Sequence, residues 1–370
     1  MLLLYIVAFL FLLYALLMFW YWLSWKKLET FQPTMAGTTK ISVVIAARNE
    51  EENIGALLTS LQQQTYPREL FEIIIVDDDS TDATAEKVKL FPGIRLLQSA
   101  GSNNRAFKKQ AISTGIGEAT GELIVTTDAD CILPPRWLET ISAFYKEKKL
   151  AAIAGPVLIE TNGGLLEDFQ CMDFLTLQGV TGASMQNGSM TMANGANLAY
   201  RKEAFEQVGG FAGIDQIASG DDMLLLYKIS KAFPGQVGYL LAPDAIVSTA
   251  AMPTLKQFFQ QRLRWAGKSL HYDDKRIFPI LLLVYLLNLG VLSLLIAGFF
   301  DHRYWIFFAA AWIMKTIVEL PFYLSVASFF NKLRTVPLFF FMQPLHILYT
   351  VIVGAASQFG SYEWKGRKLK

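Results

Sequence analysis

An apolar segment of strand length, GELIVTTD, ends in two aspartates that are one residue apart, Asp128 and Asp130. Two carboxylates this close repel each other, so the pair needs a cation or hydrogen-bond donors to be stable. Hard cations such as Mg²⁺ take one or two carboxylates together with phosphate oxygens of a substrate. A turn without chemistry also uses Asp-x-Asp, but the position at a strand end favours a site for a divalent cation and a phosphate.

Two further acidic clusters raise the same question. The run FEIIIVDDDS ends in three consecutive carboxylates, of which Asp79, or the following Ser80, has a simpler interpretation as a helix cap. Asp221 and Asp222, in SGDDMLLLYKIS, come just before an apolar-periodic helix, where the helix dipole favours acids. The functional alternative for this last pair is a general base held near an acceptor hydroxyl group.

A fourth segment, KQFFQQRLRWAGKS at 256–269, mixes aromatic and basic side chains. An amphipathic helix at the membrane surface accounts for this mixture. In the functional interpretation, Arg264 binds a pyrophosphate through its planar guanidinium, and Trp265 stacks on a sugar ring or packs the acceptor site. The sequence indicates no partner for Arg262, so Arg262→Lys is expected to be tolerated.

The region between residues 40 and 250 alternates apolar strands with helices. Asn49 is predicted as the N-cap of the first helix, with Glu52 completing a capping box. Continuous apolar strands separated by helices predict an α/β fold with a parallel sheet, which binds ligands at the carboxyl ends of its strands. No GxGxxG follows the first strand, which argues against a dinucleotide-binding dehydrogenase. The predicted strands lie at 41–47, 71–77, 94–100 and 121–128, and the predicted helices at 48–64, 80–91 and around 104–118.

Composition predicts a mixed protein with a soluble domain and a few membrane spans. The 370 residues are 53% hydrophobic and 18% charged, and their mean hydropathy is +0.32. A net charge of +1 gives no field that would favour a nucleic-acid partner. Two cysteines and three scattered histidines form neither a disulfide framework nor a metal-ligand cluster, so a reducing compartment is expected.

Apolar runs predict where the chain crosses the membrane. Residues 1–23 carry no charge and lack the features of a cleaved signal peptide, so an uncleaved anchor is predicted over 1–25. Lys26 and Lys27 favour a cytoplasmic location for the following domain. Further candidates lie within 277–360, at about 278–300, 304–329 and 335–358.

The number of true spans stays open at this stage. The candidate at 304–329 contains Lys315, Glu319 and Pro321, and ionisable groups at membrane depth usually face protein or water. Four full spans place the C-terminus outside, whereas the basic tail GSYEWKGRKLK favours the inside.

Four motifs in order, IIIVDDDSTD, TTDAD, GDD and QRLRW, resemble those of the membrane-associated inverting glycosyltransferases of family 2. The resemblance covers about residues 40–270. AARNEEENI and GANLAYRK are similar to the nucleotide-binding loop of that family and to a segment lining its donor-sugar and acceptor region. The resemblance implies a GT-A domain with a mostly parallel central sheet at 40–250, an amphipathic interface helix at 253–272, and transmembrane helices at both ends.

On the donor side, the resemblance implies that Asp78, Arg48 and Glu50 contact the uracil end of the nucleotide. Asp128 then lies near the ribose, while Asp130 coordinates Mg²⁺ or Mn²⁺ between the two phosphates. The first acidic cluster reads DDD where the family usually has DDG or DDS, so Asp79 receives no role.

On the acceptor side, the resemblance makes Asp222 the catalytic base, with Asp221 as the alternative carboxylate. Gly195 and Asn197 fall in the acceptor region. The QxxRW positions, which close over the donor diphosphate and the acceptor, are Gln261, Arg264 and Trp265.

The expected function is transfer of a sugar from a nucleotide-diphosphate donor, expected to be UDP-linked, to a hydroxyl group of a lipid or glycan. The expected location is the inner membrane of the cell, with the catalytic domain cytoplasmic. A lipid-linked acceptor is favoured because three C-terminal segments are few for a polysaccharide channel. The alternative is a catalytically inactive scaffold in a polysaccharide or glycolipid assembly complex. The sugar, the processivity and the oligomeric state stay open.

Overall fold

The computed structural model describes residues 1–99, 106–217, 219–267, 274–358, 362–364 and 367–369. Its helices are α1 Leu2–Lys26, α2 Ile54–Gln62, α3 Thr84–Lys89, α4 Phe107–Glu118, α5 Trp137–Lys148, α6 Leu165–Asn187, α7 Lys202–Gln207, α8 Met223–Ala232, α9 Leu255–Gly267, α10 Ile277–Ala297, α11 Arg303–Phe329 and α12 Val336–Ala356. Its strands are β1 Ile41–Ala47, β2 Phe71–Asp77, β3 Ile94–Gln98, β4 Leu123–Thr126, β5 Cys131–Ile132, β6 Ala152–Ala154, β7 Val157–Glu160, β8 Leu198–Arg201, β9 Val237–Tyr239, β10 Val247–Ala250, β11 Tyr362–Trp364 and β12 Arg367–Leu369.

The chain divides into two compact units. The sheet unit comprises Glu29–Glu160, Thr191–Ala250 and Glu363–Lys370. The helical unit comprises Met1–Leu28, Thr161–Met190 and Ala251–Tyr362.

A seven-stranded sheet, in the order β3-β2-β1-β4-β8-β6-β9, forms the centre of the sheet unit. β1 is parallel to β2 and β4, and β2 is parallel to β3, whereas β8 is antiparallel to both of its neighbours. The α/β fold class with a mostly parallel sheet is therefore confirmed. β2 and β3 lie on one side of β1, and β4 lies on the other side. In such folds ligands bind at this switch in strand order, beyond the carboxyl ends of the strands.

The β-branched residues of β1 explain its central place in the core. Val43, Val44 and Ile45 are completely buried, as expected for a strand covered on both faces. α4 packs tightly on this strand: a Cβ added to Gly115 would lie 2.5 Å from Val44 Cγ1. The glycine thus permits the helix to approach the sheet, and this approach fixes the residues at the start of α4 relative to the strand ends.

The capping box predicted at Asn49 is wrong. α2 begins only at Ile54, after Asn53, and Asn49 has a left-handed φ of +51°. The caps considered for the next helix are wrong as well, because α3 begins at Thr84 and follows Ala83. The reason lies in hydrogen bonds that join the loop after β1 to the loop after β2.

Four helices of the helical unit are long and apolar enough to cross a membrane: Leu2–Lys26, Ile277–Ala297, Arg303–Phe329 and Leu333–Ala356. A further helix of this unit, α6, packs against α1 and α11. The approach of α6 to α11 is close, since a Cβ on Gly179 would lie 2.5 Å from Val326 Cγ2.

Lys315 and Glu319, the charged residues in the middle of α11, are buried and face protein. Lys315 Nζ lies 2.5 Å from Glu319 Oε1 and donates to Gln343 Oε1 at 2.9 Å. Glu319 also accepts hydrogen bonds from Tyr14 and Gln343. All charges of this cluster are compensated within the helical unit, as buried ionisable groups require, and α11 continues through Pro321.

Candidate active site

Arg48 joins the loop after β1 to the loop after β2. Its Nη1 donates to the backbone carbonyls of Asp78 at 2.5 Å and of Asp79 at 2.7 Å. Asp79 has a left-handed φ of +55°, so the guanidinium holds a tight turn directly after β2. Asp78 is 4% exposed in this turn. Its predicted contact with the donor nucleotide, and that of Arg48, stay predictions.

Further hydrogen bonds join the same two loops. The backbone N–H of Asn49 donates to Ser80 Oγ at 3.1 Å, and Asn49 Oδ1 accepts from the N–H of Thr81 at 2.8 Å. The N–H of Glu50 donates to Thr84 Oγ1 at 2.8 Å. Asn49 and Ser80 are thus engaged between the loops and not at helix ends, because short polar side chains readily bond to nearby backbone groups.

Asp77 has a structural role in this turn. Its carboxylate accepts from the N–H of Ser80 at 3.3 Å and from Gln98 Nε2 at 3.0 Å. Glu50 accepts from Asn53 Nδ2 at 2.9 Å and is 8% exposed. The acids after β1 and β2 are therefore arranged around a fixed loop pair.

The strand-end aspartates after β4 meet the third acidic cluster through Lys108. Lys108 Nζ lies 2.7 Å from Asp128 Oδ1 and 3.0 Å from Asp221 Oδ2. Burial opposes the charged form, but the two carboxylates outweigh it and raise the pKa of Lys108 above its ordinary value. The ammonium group is therefore charged at neutral pH and compensates both carboxylates.

Asp222 is the N-cap of α8. Its Oδ1 accepts from the N–H of Met223 at 2.7 Å, and its Oδ2 accepts from the N–H of Gly195 at 3.2 Å. Asp222 thus lies at the N-terminus of α8, as the helix-dipole interpretation expects. This position leaves the predicted role as a base open, because each carboxylate oxygen can accept more than one hydrogen bond. Asp222 is half-buried, whereas Asp221 is buried.

Gly195 permits the close approach of its loop to these acids. A Cβ at this position would lie 3.2 Å from Asp221 Oδ2 and 3.3 Å from Lys108 Nζ. The loop is held by Thr126 of β4, whose Oγ1 donates to the carbonyl of Gly195 at 3.3 Å. The antiparallel pairing of β8 with β4 thus brings the predicted acceptor segment beside the predicted base.

Lys109, next to Lys108, anchors the segment that leads to the third acidic cluster. It is 3% exposed, and its Nζ donates to the carbonyls of Ile214, Ile217 and Ser219 at 2.6, 2.9 and 2.9 Å. All three ammonium hydrogens are therefore used. Neither lysine was predicted as a functional residue, since the only signal for them is a Lys-Lys pair at the start of a helix.

The side chain of Asn197 is engaged in the core, and its place in the acceptor region stays a prediction. Its Oδ1 accepts from Trp137 Nε1 at 3.0 Å, and its Nδ2 donates to the carbonyls of Pro156 and Ala245, both at 2.8 Å. The residue is 1% exposed. Because its hydrogen-bonding groups are engaged in the core, we assign it a structural role in supporting the Gly195 loop.

Asp130 follows β4 and is half-buried, and its Oδ1 accepts a weak bond from Cys131 Sγ at 3.8 Å. Among the described residues, no group of three or more His, Cys, Asp or Glu side chains could hold a metal ion by itself. A magnesium-type site does not need such a cage, because substrate phosphates and water complete the coordination. Asp130 and Asp128 at the strand end fit this kind of site.

The predicted QxxRW residues lie on α9, in the helical unit. Gln261 Oε1 accepts from Arg262 Nη1 at 3.1 Å. Arg264 and Trp265 are half-buried, and the Trp265 ring packs on Phe174 with 5.7 Å between centroids. The predicted interface helix extends to residue 272, but positions 268–273 lie outside the described residues, as do 365 and 366 in the basic tail.

The expectation that Arg262 has no partner is wrong. Arg262 is 2% exposed, and its Nη2 lies 2.9 Å from Asp173 Oδ2. Its guanidinium carbon also lies 4.2 Å from the centroid of the Trp265 ring. The partner is on α6, about ninety positions earlier in the chain, so local sequence could not indicate it.

Lys108→Met is expected to lower the melting temperature, because Asp128 and Asp221 then lack their shared cation. Charge-assisted hydrogen bonds contribute about 1.5–3 kcal/mol each, and partial exposure reduces this value here. Thermal unfolding in detergent, with and without Mn²⁺, measures the effect, and added Mn²⁺ is expected to restore part of the loss. The exposed Lys89→Met serves as the control. Equal melting temperatures for both variants would contradict the compensating role of Lys108.

Residues 42–209 match the profile described as Glycosyl transferase family 2. Probable glycosyltransferase YdaM of Bacillus subtilis (strain 168) is 27% identical over 255 residues, which are 65% of this chain and 58% of the relative. Poly-beta-1,6-N-acetyl-D-glucosamine synthase of Staphylococcus epidermidis is 27% identical over 230 residues, 61% of this chain and 53% of the relative. The chain thus matches little more than half the length of these curated relatives.

The mannosyltransferase PcManGT from Pyrobaculum calidifontis, solved in complex with GDP-Man and Mn²⁺, has a similar fold. The TM-score is 0.61 at 20% sequence identity, and the alignment covers 96% of this chain and 99% of that one. The prediction of a family 2 domain with the GT-A fold is confirmed.

Proposed function

Because the chain carries a glycosyl transferase family 2 domain of the GT-A fold, we propose that it transfers a sugar from a nucleotide-diphosphate donor to a hydroxyl group of a lipid or glycan. The observation that carries this proposal is the assembly of Asp128, Asp221 and Asp222 around Lys108 and Gly195. A scaffold protein has no need for such an arrangement of carboxylates beside the carboxyl end of β4.

The donor side is proposed to lie at the loop pair after β1 and β2. Arg48, Glu50 and Asp78 are held there by hydrogen bonds and offer polar groups for a nucleobase and ribose. A UDP-linked N-acetylhexosamine is the first donor to test, since a relative is named for a polymer of N-acetyl-D-glucosamine.

The proposed reaction is a single displacement with inversion at the anomeric carbon. Asp222 accepts the proton of the acceptor hydroxyl. Its carboxylate is kept oriented by the hydrogen bond from the Gly195 N–H and by the position of Asp222 at the start of α8. Asp130, with Asp128 beside it, would hold Mg²⁺ or Mn²⁺, which when bound neutralises charge on the nucleoside diphosphate leaving group. Gln261, Arg264 and Trp265 of α9 are proposed to contact donor diphosphate and acceptor.

The proposed acceptor follows from the proposed membrane location of the protein. With four apolar helices, the protein is proposed to lie in the inner membrane. Lys26 and Lys27 follow the apolar stretch of α1 and favour a cytoplasmic location for the sheet unit, where nucleotide sugars are available. A lipid-linked hydroxyl in the cytoplasmic leaflet is the favoured acceptor.

The full-length protein in nanodiscs, given a panel of UDP- and GDP-sugars with Mn²⁺ and lipid extract, tests the function through nucleotide release and product mass. Release that depends on both one sugar donor and an added acceptor is the expected result. No release with any donor, from folded protein, would favour the scaffold alternative.

Arg264→Lys is expected to lose most transfer activity although it keeps the charge. Arginine can bind a diphosphate through two parallel N–H bonds, whereas lysine supplies only a point charge. The measurement is the rate of sugar transfer at equal amounts of membrane-inserted protein, and Trp265→Ala is expected to behave likewise.

The exposed Lys256 on the same helix provides the matched control. If α9 needs only positive charge at the membrane surface, Lys256→Gln should cost more activity than Arg264→Lys, because it removes a charge. We expect Arg264→Lys to cost more activity than Lys256→Gln. A larger loss in Lys256→Gln would mean that α9 acts only as a helix at the membrane surface.

A further inference from the structure

Arg262 on α9 is held from three sides within the helical unit. Asp173 of α6 lies 2.9 Å from its Nη2. The rings of Phe258 and Trp265 lie on its guanidinium, with the Arg262 carbon 4.9 and 4.2 Å from their centroids. A buried guanidinium stacked on an aromatic ring fixes that ring, because the attraction requires the cation to lie over the ring face.

Asp173 in turn connects two helices to α9. Nε2 of His346, on α12, lies 3.5 Å from Asp173 Oδ1. Arg262 contacts the other carboxylate oxygen, Asp173 Oδ2. Burial favours the neutral acid, but Arg262 and His346 outweigh it and lower the pKa of Asp173 below its ordinary value. The carboxylate is therefore ionised and holds α6, α9 and α12 at one point.

We infer that Asp173, Arg262 and His346 act together as positioning residues for sugar transfer: they fix the ring of Trp265 and the orientation of α9, and thereby of Arg264. This inference rests on the proposed function, in which Trp265 and Arg264 contact acceptor and donor. It adds that the orientation of these two residues is set by an ion pair with α6. A displacement of about 1 Å in a catalytic group can reduce a rate about 10²-fold.

A purely stabilising role is the competing explanation, and a double variant separates the two. Asp173→Asn leaves the Arg262 charge buried without its counterion, which destabilises the fold. Asp173→Asn combined with Arg262→Gln removes both charges, so stability is expected to recover. The cation over Trp265 is then still absent, so transfer is expected to stay about 10²-fold below wild type.

The experiment uses the full chain in nanodiscs and has two readouts. The first is kcat and KM for donor and acceptor, compared with the melting temperature of each variant. The second is ¹⁹F NMR of protein labelled with 5-fluorotryptophan, in which the Trp265 signal is identified by its loss in Trp265→Phe. Asp168→Asn is the matched control, because Asp168 lies on the same helix, has the same 8% exposure as Asp173 and bonds instead to Thr161 Oγ1 at 2.7 Å.

The expected result is a shifted Trp265 signal and low kcat in the double variant at near-normal melting temperature, with Asp168→Asn close to wild type in both readouts. Recovery of kcat together with stability, or an unmoved Trp265 signal, would overturn the positioning role. If the wild-type protein transfers no sugar from the panel, the proposed function fails, and the ¹⁹F signal still decides whether the ion pair orients Trp265.

Discussion

Asp222→Asn is expected to lose turnover by about 10²–10⁴-fold while the protein folds and binds its donor normally. A positioned proton acceptor contributes a factor of this size. Asparagine caps a helix as well as aspartate does, so α8 keeps its start while the base is removed. Single-turnover transfer, with UDP affinity measured separately by calorimetry, checks both parts of this expectation.

Asp221→Asn is the comparison that tests the choice of carboxylate. Its side chain is bound to Lys108 at 3.0 Å, so its loss is expected to lower stability and donor affinity more than the chemical step. Normal turnover in Asp222→Asn together with an inactive but folded Asp221→Asn would make Asp221 the base. An Asp222→Ala variant is less informative, because loss of the helix cap by itself lowers the stability of the protein by about 0.5–2 kcal/mol.

The strands were predictable because their residues are buried on both faces. The runs 41–47 and 71–77 coincide with β1 and β2 as the structure has them. Such runs need no information about their partners, since any neighbouring parallel strand satisfies a β-branched apolar segment. The same reasoning located the acids at the strand ends, because in a parallel sheet these ends lie on one edge.

The helix starts were less predictable, since polar side chains had competing partners. Asn49 and Ser80 each suit a helix cap, yet they bond to each other's loops. Which bond forms depends on the distance between two loops that are about thirty residues apart in sequence. Local preference alone could not decide this, because the cap and the interloop bond satisfy the same atoms.

Two cations, one in each unit, show the same limit more strongly. Lys108 and Arg262 have no local acidic partner, and both pair with aspartates that are distant in the chain. The acidic clusters were recognisable in the sequence because their carboxylates are adjacent. The compensating charges could be identified only from the fold, which brings α4 to Asp128 and α6 to α9. A buried charge without a nearby partner in sequence is therefore a reason to expect a distant one.

Asp130→Asn is expected to abolish transfer and to remove the dependence of UDP binding on Mn²⁺. A cation that neutralises a diphosphate leaving group supplies several kcal/mol, which corresponds to at least about 10³-fold in rate. Asparagine keeps the size of the side chain but lacks the charge that a hard cation prefers. Transfer rates and UDP affinity, each titrated with Mn²⁺ and with Mg²⁺, provide the measurement.

Asp79→Asn is the matched control, because it is the same change after β2, another strand of the same sheet. Asp79 is exposed and has a left-handed φ of +55°, a conformation that asparagine adopts readily. The Asp79→Asn variant should therefore keep both transfer activity and its dependence on the metal ion. Full transfer by wild type in EDTA, or equal activity in Asp130→Asn and Asp79→Asn, would show that Asp130 holds no essential cation. The leaving diphosphate would then have to be neutralised by protein cations alone, and Lys108, whose Nζ lies 2.7 Å from Asp128 Oδ1, is the first of these to test.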